Sequence, residues 1–293
     1  MNGLLIVNKE AGCTSRDIVN IVSKKLKIKK IGHTGTLDPM AEGVLVLCIG
    51  EATKIVEIIT SSDKEYEAEI TLGLNTDTLD ITGNVLKEEE AIFTKEDILK
   101  SLVKIKGFYE QTVPIYSAVK INGKKLYQYA RNNEEVILPT RTVEIKEIKL
   151  ISNIKHVNNK TIFSIKCTVS KGTYIRSLAK DIAEILGTIG VMSKLNRTRQ
   201  GKFLIKDSYK LEDILSDNYK IIPLSDNLFD YKVVIATDLL LKKVMNGALI
   251  ENIYGEEVIL IKDTNDNLLA IYKAYEKDRG YLKPWKMFKG GIL

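Results

Sequence analysis

Only two histidines, His33 and His156, and three cysteines, Cys13, Cys48 and Cys167, occur in the 293 residues. Neither histidine sits in an HExxH pattern and no cysteines form CxxC, so the common zinc spacings are missing. GxxxxGK[ST] and GxGxxG are also absent, which removes the usual phosphate-cradling loops of nucleotide and dinucleotide enzymes. Scattered, odd-numbered cysteines in apolar surroundings read as free thiols in a reducing compartment. Near the N-terminus the only apolar run, Leu4 to Val7, is too short for a signal peptide's hydrophobic region. No run is long enough to span a bilayer. A cytoplasmic protein is expected, with no cofactor and no metal, whose chemistry would rest on carboxylates, tyrosines and basic residues.

What is present supports one large core and a small second domain, with 44% hydrophobic residues. The net charge of +6 fits a polyanionic partner but does not by itself require one.

The most organised stretch is Ile31 to Lys54. Glycines, hydroxyls, a histidine and a carboxylate crowd into Gly32-His33-Thr34-Gly35-Thr36-Leu37-Asp38-Pro39. Gly32 and Gly35 suit positive φ or close backbone approach. Pro39 disfavours helix at Asp38. Val44 to Ile49 then reads as a buried strand. Spacing alone leaves Asp38 either a turn residue or a reactive group on a rigid loop.

Elsewhere, Thr14 and Thr94 are expected helix caps, each with an aspartate three residues on. Ile98, Leu99, Leu102 and Val103 are expected on the inward side of the second helix. From Lys64 to Leu74, apolar even positions alternate with polar odd ones, the pattern of a half-buried strand carrying Tyr66. Asn122-Gly123 marks a two-residue hairpin. Phe163, Ile165, Cys167 and Val169 share a strand face. Ile175, Leu178, Ile182 and Ile185 form a helical stripe ended by Gly187, and Arg176 falls in that helix's first turn, where an anion is favoured. Five lysines between Lys24 and Lys30 are either a solvated face or a phosphate contact.

Four segments in order, GHTGTLDP…GVLVLCIGEATK, KEYEAEITLG…TDTLDITG, PIYSAVKINGKKLYQYAR and KGTYIRSLAKDI, resemble the TruB family of tRNA pseudouridine synthases. A basic closing segment begins at Leu195. The resemblance implies an α+β catalytic domain on antiparallel sheet over 1–228, with a small β-rich PUA-like RNA-binding domain over 229–293. It implies a cofactor-free isomerase that makes pseudouridine at position 55 in the T-arm of tRNA, acting as a monomer without an obligatory protein partner. Asp38 is the implied catalytic residue, with Tyr66 against the target base and Arg176 paired to Asp38. Substrate contacts are implied for His33, Asp80, Tyr174, Lys54 and Leu195. The chain has Thr82 where many relatives carry a further acidic residue. A guide-dependent synthase or a non-catalytic RNA-binding module would share some of these features. A hydrolase would need a second acid near Asp38, which the sequence does not show.

Overall fold

The computed structural model describes residues 1–224, 226 and 229–288. Its larger sheet uses β1 (Gly3–Lys9), β2 (Ile31–His33), β3 (Glu42–Ile49), β4 (Lys64–Leu72), β5 (Gly107–Thr112), β6 (Thr140–Leu150), β7 (Lys160–Val169) and β8 (Gly190–Gln200). The order is β1-β3-β8-β4-β7-β6-β5, with β2 added beside β3. All these pairs are antiparallel except β3 with β8, which meet only at Glu42–Asn196 and Gly43–Arg197.

Burial explains the two strand patterns. On β4, Tyr66, Ala68, Ile70 and Leu72 face a core closed by helices α2 (Lys95–Ile105) and α3 (Ile175–Ile185). Glu65, Glu67 and Glu69 point to the opposite, wetter side, hence the alternation. β3 is covered on both sides. Leu45, Leu47 and Ile49 pack with Ile18, Val19 and Val22 of helix α1 (Ser15–Leu26). Val44, Val46 and Cys48 pack with Ile55, Ile58 and the C-terminal sheet. Two buried faces produce a continuous apolar run.

Thr14 and Thr94 each close a capping box, with Asp17 and Asp97. Asn122 (φ 51°) and Gly123 (φ 80°) form the hairpin turn between Lys120–Ile121 and Lys124–Lys125. The expected inward face of α2 needs correction. Ile98, Ser101, Leu102 and Ile105 are buried, whereas Leu99 and Val103 are 41% and 76% exposed. The true stripe follows the i, i+3, i+4, i+7 spacing, which Leu99 and Val103 miss by one step.

The second sheet orders strands Lys232–Ile235, Val258–Lys262, Leu268–Tyr275, Asp278–Met287 and Ile250–Glu251 around its own core. It is not a free appendage, because Leu260, Leu268, Ile271 and Phe288 join the cluster that contains Leu4, Ile6 and Val46. The chain still pairs with β1 at Ile222. A boundary at 228 falls on residues outside those described.

Gly43 makes the parallel contact possible. Its φ is +102°, and a Cβ there would lie 2.3 Å from the Arg197 carbonyl oxygen. Gly43→Ala should therefore lower stability by at least about 2 kcal/mol through backbone strain and overpacking. An unchanged urea midpoint would show that the two strands do not meet there.

Candidate active site

The sheet splits at β3. On one edge, β8 holds Glu42 and Gly43 while β2 holds Leu47 to Ile49. Between these pairings the Val44 carbonyl has no strand donor and accepts instead from Arg197 Nε at 2.7 Å. The Val46 carbonyl accepts from the Thr34 N–H at 3.1 Å. Arg197 is fully buried and also donates through Nη2 to the Gly35 carbonyl at 3.1 Å. Out of this split loops the segment 34–41 that carries Asp38.

That loop is held from several sides. The Leu37 N–H donates to Ser15 Oγ at 2.9 Å. The Thr34 carbonyl accepts from Thr60 Oγ1 and from Gln200 Nε2, both at 2.9 Å. Lys9 is completely buried, and its ammonium donates to the carbonyls of Ala41 (2.6 Å), Glu10 (2.9 Å) and Pro39 (3.3 Å). Burial pushes the Lys9 pKa down. Sequence reading passed over Lys9, Arg197 and Gln200. Their one signal is a charged or amide side chain inside or beside a strand, with no partner visible in sequence.

Arg176 faces Asp38 side-on. Nε lies 2.9 Å from Asp38 Oδ2, and Nη2 donates to Oδ1 at 3.3 Å. The same guanidinium donates to the carbonyls of Thr78 and Tyr116, each at 2.9 Å, and lies 3.7 Å from Asp80 Oδ2. Arg176 is 5% exposed, so its donors are met by protein rather than water. Asp80 is caged in turn. Its Oδ1 accepts from Thr78 Oγ1 (2.9 Å), the Thr82 N–H (3.0 Å) and Thr82 Oγ1 (2.6 Å). Thr82 thus closes the loop with two donors on one carboxylate oxygen. Leu79, at φ +61°, is the strained residue of that turn.

Asp38, Tyr66, Tyr174, Arg176 and Leu195 line one open cavity of about 510 Å³. The Tyr174 backbone is fixed by Gln111, which accepts from its N–H at 2.7 Å and donates to its carbonyl at 3.1 Å. Lys64, Arg141 and Lys171 add positive charge to the wall. Burial and the neighbouring Arg197 push Lys64 down to about 8. Asp80 lies behind Arg176, on the wall of an adjoining cavity that also reaches Asp38. His33 is partly buried in β2, off the cavity wall, with an Nδ1 that has no hydrogen-bond partner. Burial, then Arg16 and Arg197, pulls its pKa below the ordinary imidazole value. Lys54 is elsewhere. It pairs with Glu51, donates to the Met287 carbonyl at 2.6 Å and sits over the Phe288 ring. It joins the two sheets and does not face the cavity.

Asp38 is the one carboxylate on the cavity wall among the described residues. Burial raises its pKa, Arg176 opposes the rise and the charge of Asp80 adds to it. A partly buried carboxylate locked on a guanidinium beside a nucleotide-sized space can act as nucleophile or base at a sugar. The paired acids of a glycoside hydrolase are not formed, since Asp80 is turned to Arg176 and the threonines. Among the described residues no three His, Cys, Asp or Glu side chains gather as a metal site.

Residues 23–175 match the model of the TruB family pseudouridylate synthase N-terminal domain, and 176–227 match the tRNA pseudouridylate synthase B C-terminal domain. The fold is that of a pseudouridine synthase, and the chain belongs to the TruB family. It is 43% identical to tRNA pseudouridine synthase B of Staphylococcus aureus strains MSSA476 and Newman, over 98% of this chain and 99% of theirs. Among solved structures it is similar to an H/ACA RNP bound to a substrate RNA containing 2'-deoxyuridine (TM-score 0.71, 23% identity, 98% and 84% covered). A Cbf5-Nop10-Gar1 complex gives TM-score 0.70 at 26% identity, with 93% and 78% covered. The junction between the two family models, at 175/176, is no structural boundary, because it falls in the first turn of α3, whose apolar face packs on the sheet that contains β8.

Two outcomes follow from the ion pair. Arg176→Lys keeps the charge but loses the fork that holds Asp38 and two carbonyls. Single-turnover rates should fall at least about 30-fold, the kinetic equivalent of roughly 2 kcal/mol, while the far-UV spectrum is unchanged; a fully active variant would remove the pair from the chemistry. The second outcome concerns pH. If the ionised Asp38 is the working form, activity rises with pH through its raised pKa. Asp80→Asn removes a like charge and should move this acid limb to lower pH. A limb that stays in place or moves upward in single-turnover pH profiles would contradict the coupling.

Proposed function

We propose that this enzyme isomerises uridine to pseudouridine in the T-arm loop of tRNA, at position 55, with Asp38 as the catalytic carboxylate. The side-on Arg176–Asp38 pair on the wall of the cavity is the observation that carries this assignment. The 43% identical relatives are tRNA pseudouridine synthases, which favours tRNA over a guide-dependent substrate. The target base has to leave its stack to enter the cavity. In this reading Tyr66 and Leu195 flank it, and Lys64, Arg141 and Lys171 meet the backbone charge, a reading supported by their positions on the cavity wall. Isomerisation needs the C1′–N1 bond broken, the base rotated and C5 joined to C1′. Attack on C1′ and removal of a sugar proton both require the Asp38 carboxylate, and Arg176 holds it ionised and aimed. Asp80 positions Arg176 from behind. His33 is assigned to the opened RNA loop and Tyr174 to the cavity rim. Lys54 supports the substrate only by fixing the C-terminal sheet, which we assign as a PUA-like RNA-binding module. The enzyme acts as a monomer in the cytoplasm, without a protein partner or metal. No helix among the described residues is long and apolar enough to cross a membrane.

Asp38→Asn is the direct test. Asn is nearly isosteric, and Asp80 remains 3.7 Å from Arg176 as a counter-charge. Because burial disfavours the ionised Asp38, a neutral side chain should not lower the melting temperature. Removing the carboxylate should cut the single-turnover rate on an unmodified tRNA transcript on the order of 10³-fold or more, with tRNA affinity retained. Turnover within about tenfold of the parent would reduce Asp38 to a turn residue.

A further inference from the structure

Among the described residues, the cavity wall contains one fully buried side-chain oxygen with no partner. Ser117 is 7% exposed, lines the cavity, and its Oγ makes no hydrogen bond to any described residue. Leaving a buried hydroxyl unpaired costs about 1–3 kcal/mol, so its persistence needs an explanation. The Ser117 backbone is firmly held. Its N–H donates to the Ile115 carbonyl at 2.9 Å, and its carbonyl accepts from the Tyr127 N–H at 3.2 Å. The preceding carbonyl, of Tyr116, accepts from the same Arg176 guanidinium that orients Asp38. Ser117 is thus fixed, through one residue and one arginine, relative to the reacting carboxylate. Three cations on the same wall already hold protein groups. Arg176 and Arg197 are bonded to protein groups, and Lys64 donates to the carbonyls of Thr60 and Ser62.

We propose that Ser117 Oγ is a substrate contact that takes its missing hydrogen bond from the imide edge of the extruded uracil. This rests on the uridine-isomerising reading of the site. The imide edge suits a hydroxyl in particular. Turning the detached base about its N3–C6 axis exchanges N1 with C5 and O2 with O4, yet leaves N3–H in place. A contact to that edge meets the same O, N–H, O pattern before and after rotation. A hydroxyl can accept from N3–H or donate to either oxygen, so the hold on the base survives the step in which its glycosidic bond is absent.

Ser117→Ala tests this with the full-length protein and an unmodified tRNA stem-loop. Three quantities are read: melting temperature, RNA dissociation constant, and single-turnover rate at saturating RNA. Removing an unpaired hydroxyl should leave the melting temperature unchanged or higher, and the dissociation constant within about twofold. The rate should fall about tenfold, as for loss of one neutral hydrogen bond. An unchanged rate beside an active parent overturns the contact. A lower melting temperature overturns it too, because the hydroxyl would then have a partner within the protein. If the parent itself makes no pseudouridine, the functional reading fails instead, and the two failures are told apart.

Discussion

The guanidinium of Arg176 is the point through which this structure is tied together. Three loops from distant parts of the chain end on it: Asp38 from the split in the sheet, Thr78 and Asp80 from the polar turn after β4, and Tyr116 from the segment before the Asn-Gly hairpin. Asp38 and Tyr116 lie outside strands and helices, and Asp80 meets the large sheet only through an isolated bridge to Met192. A planar fork with five donors can satisfy several acceptors at once, which an ammonium could not do in the same plane. Burying such a charge costs several kcal/mol unless carboxylates and carbonyls replace its water, and here they do. The two carboxylates around it have unlike surroundings. Asp80 is saturated by threonine donors and faces away, while Asp38 keeps a side open to the cavity.

Arg197 plays a parallel role inside the sheet. A continuous strand beside β3 would leave no room for a loop, and a plain gap would strand the Val44 carbonyl without a donor. By filling the gap with a side chain, the protein opens its sheet without an unpaired backbone group at that point. Gly43 is the other half of the arrangement, since only a residue without Cβ lets β8 approach before it peels away. Of the glycines singled out in sequence, Gly32 lies in a strand with room for a side chain, and Gly35 has an extended φ. The glycine that the site requires, Gly43, lies two residues beyond the loop, inside β3.

Legibility in the sequence followed locality. Caps, the hairpin and the alternating strand were readable because each depends on residues a few positions apart: Thr14 with Asp17, Asn122 with Gly123, Tyr66 with Ala68. Both faces of β3 were readable as a run of apolar residues. Asp38, Tyr66, Tyr174, Arg176 and Leu195 were named from motif resemblance, and the structure puts all five on one cavity. What stayed hidden depends on partners far along the chain. Lys9 looks like a charged strand end until Pro39 and Ala41 fold over it. Lys54 looks like part of the signature, yet its partners include Met287 and Phe288, over two hundred residues away. Leu99 and Val103 misled because periodicity fixes a helix's spacing but not which of two adjacent faces meets the core.

The segment from Gly50 to Thr60 connects these levels. At its beginning, Lys54 grips the last strand of the C-terminal sheet, and Glu57 accepts from Trp285 Nε1 at 3.0 Å and from Lys286 Nζ at 2.6 Å. At its end, Thr60 donates to the carbonyl of Thr34 in the Asp38 loop. Its apolar face, Ala52, Ile55, Ile58 and Ile59, is shared with both sheets. One short helical segment therefore spans from the accessory sheet to the loop that carries the carboxylate. Its ion pairs are partly exposed and contribute modestly, so the apolar seam supplies most of the rigidity. Whatever the C-terminal sheet holds is positioned relative to Asp38 through this shared apolar cluster, since close-packed interiors transmit displacement rather than absorb it.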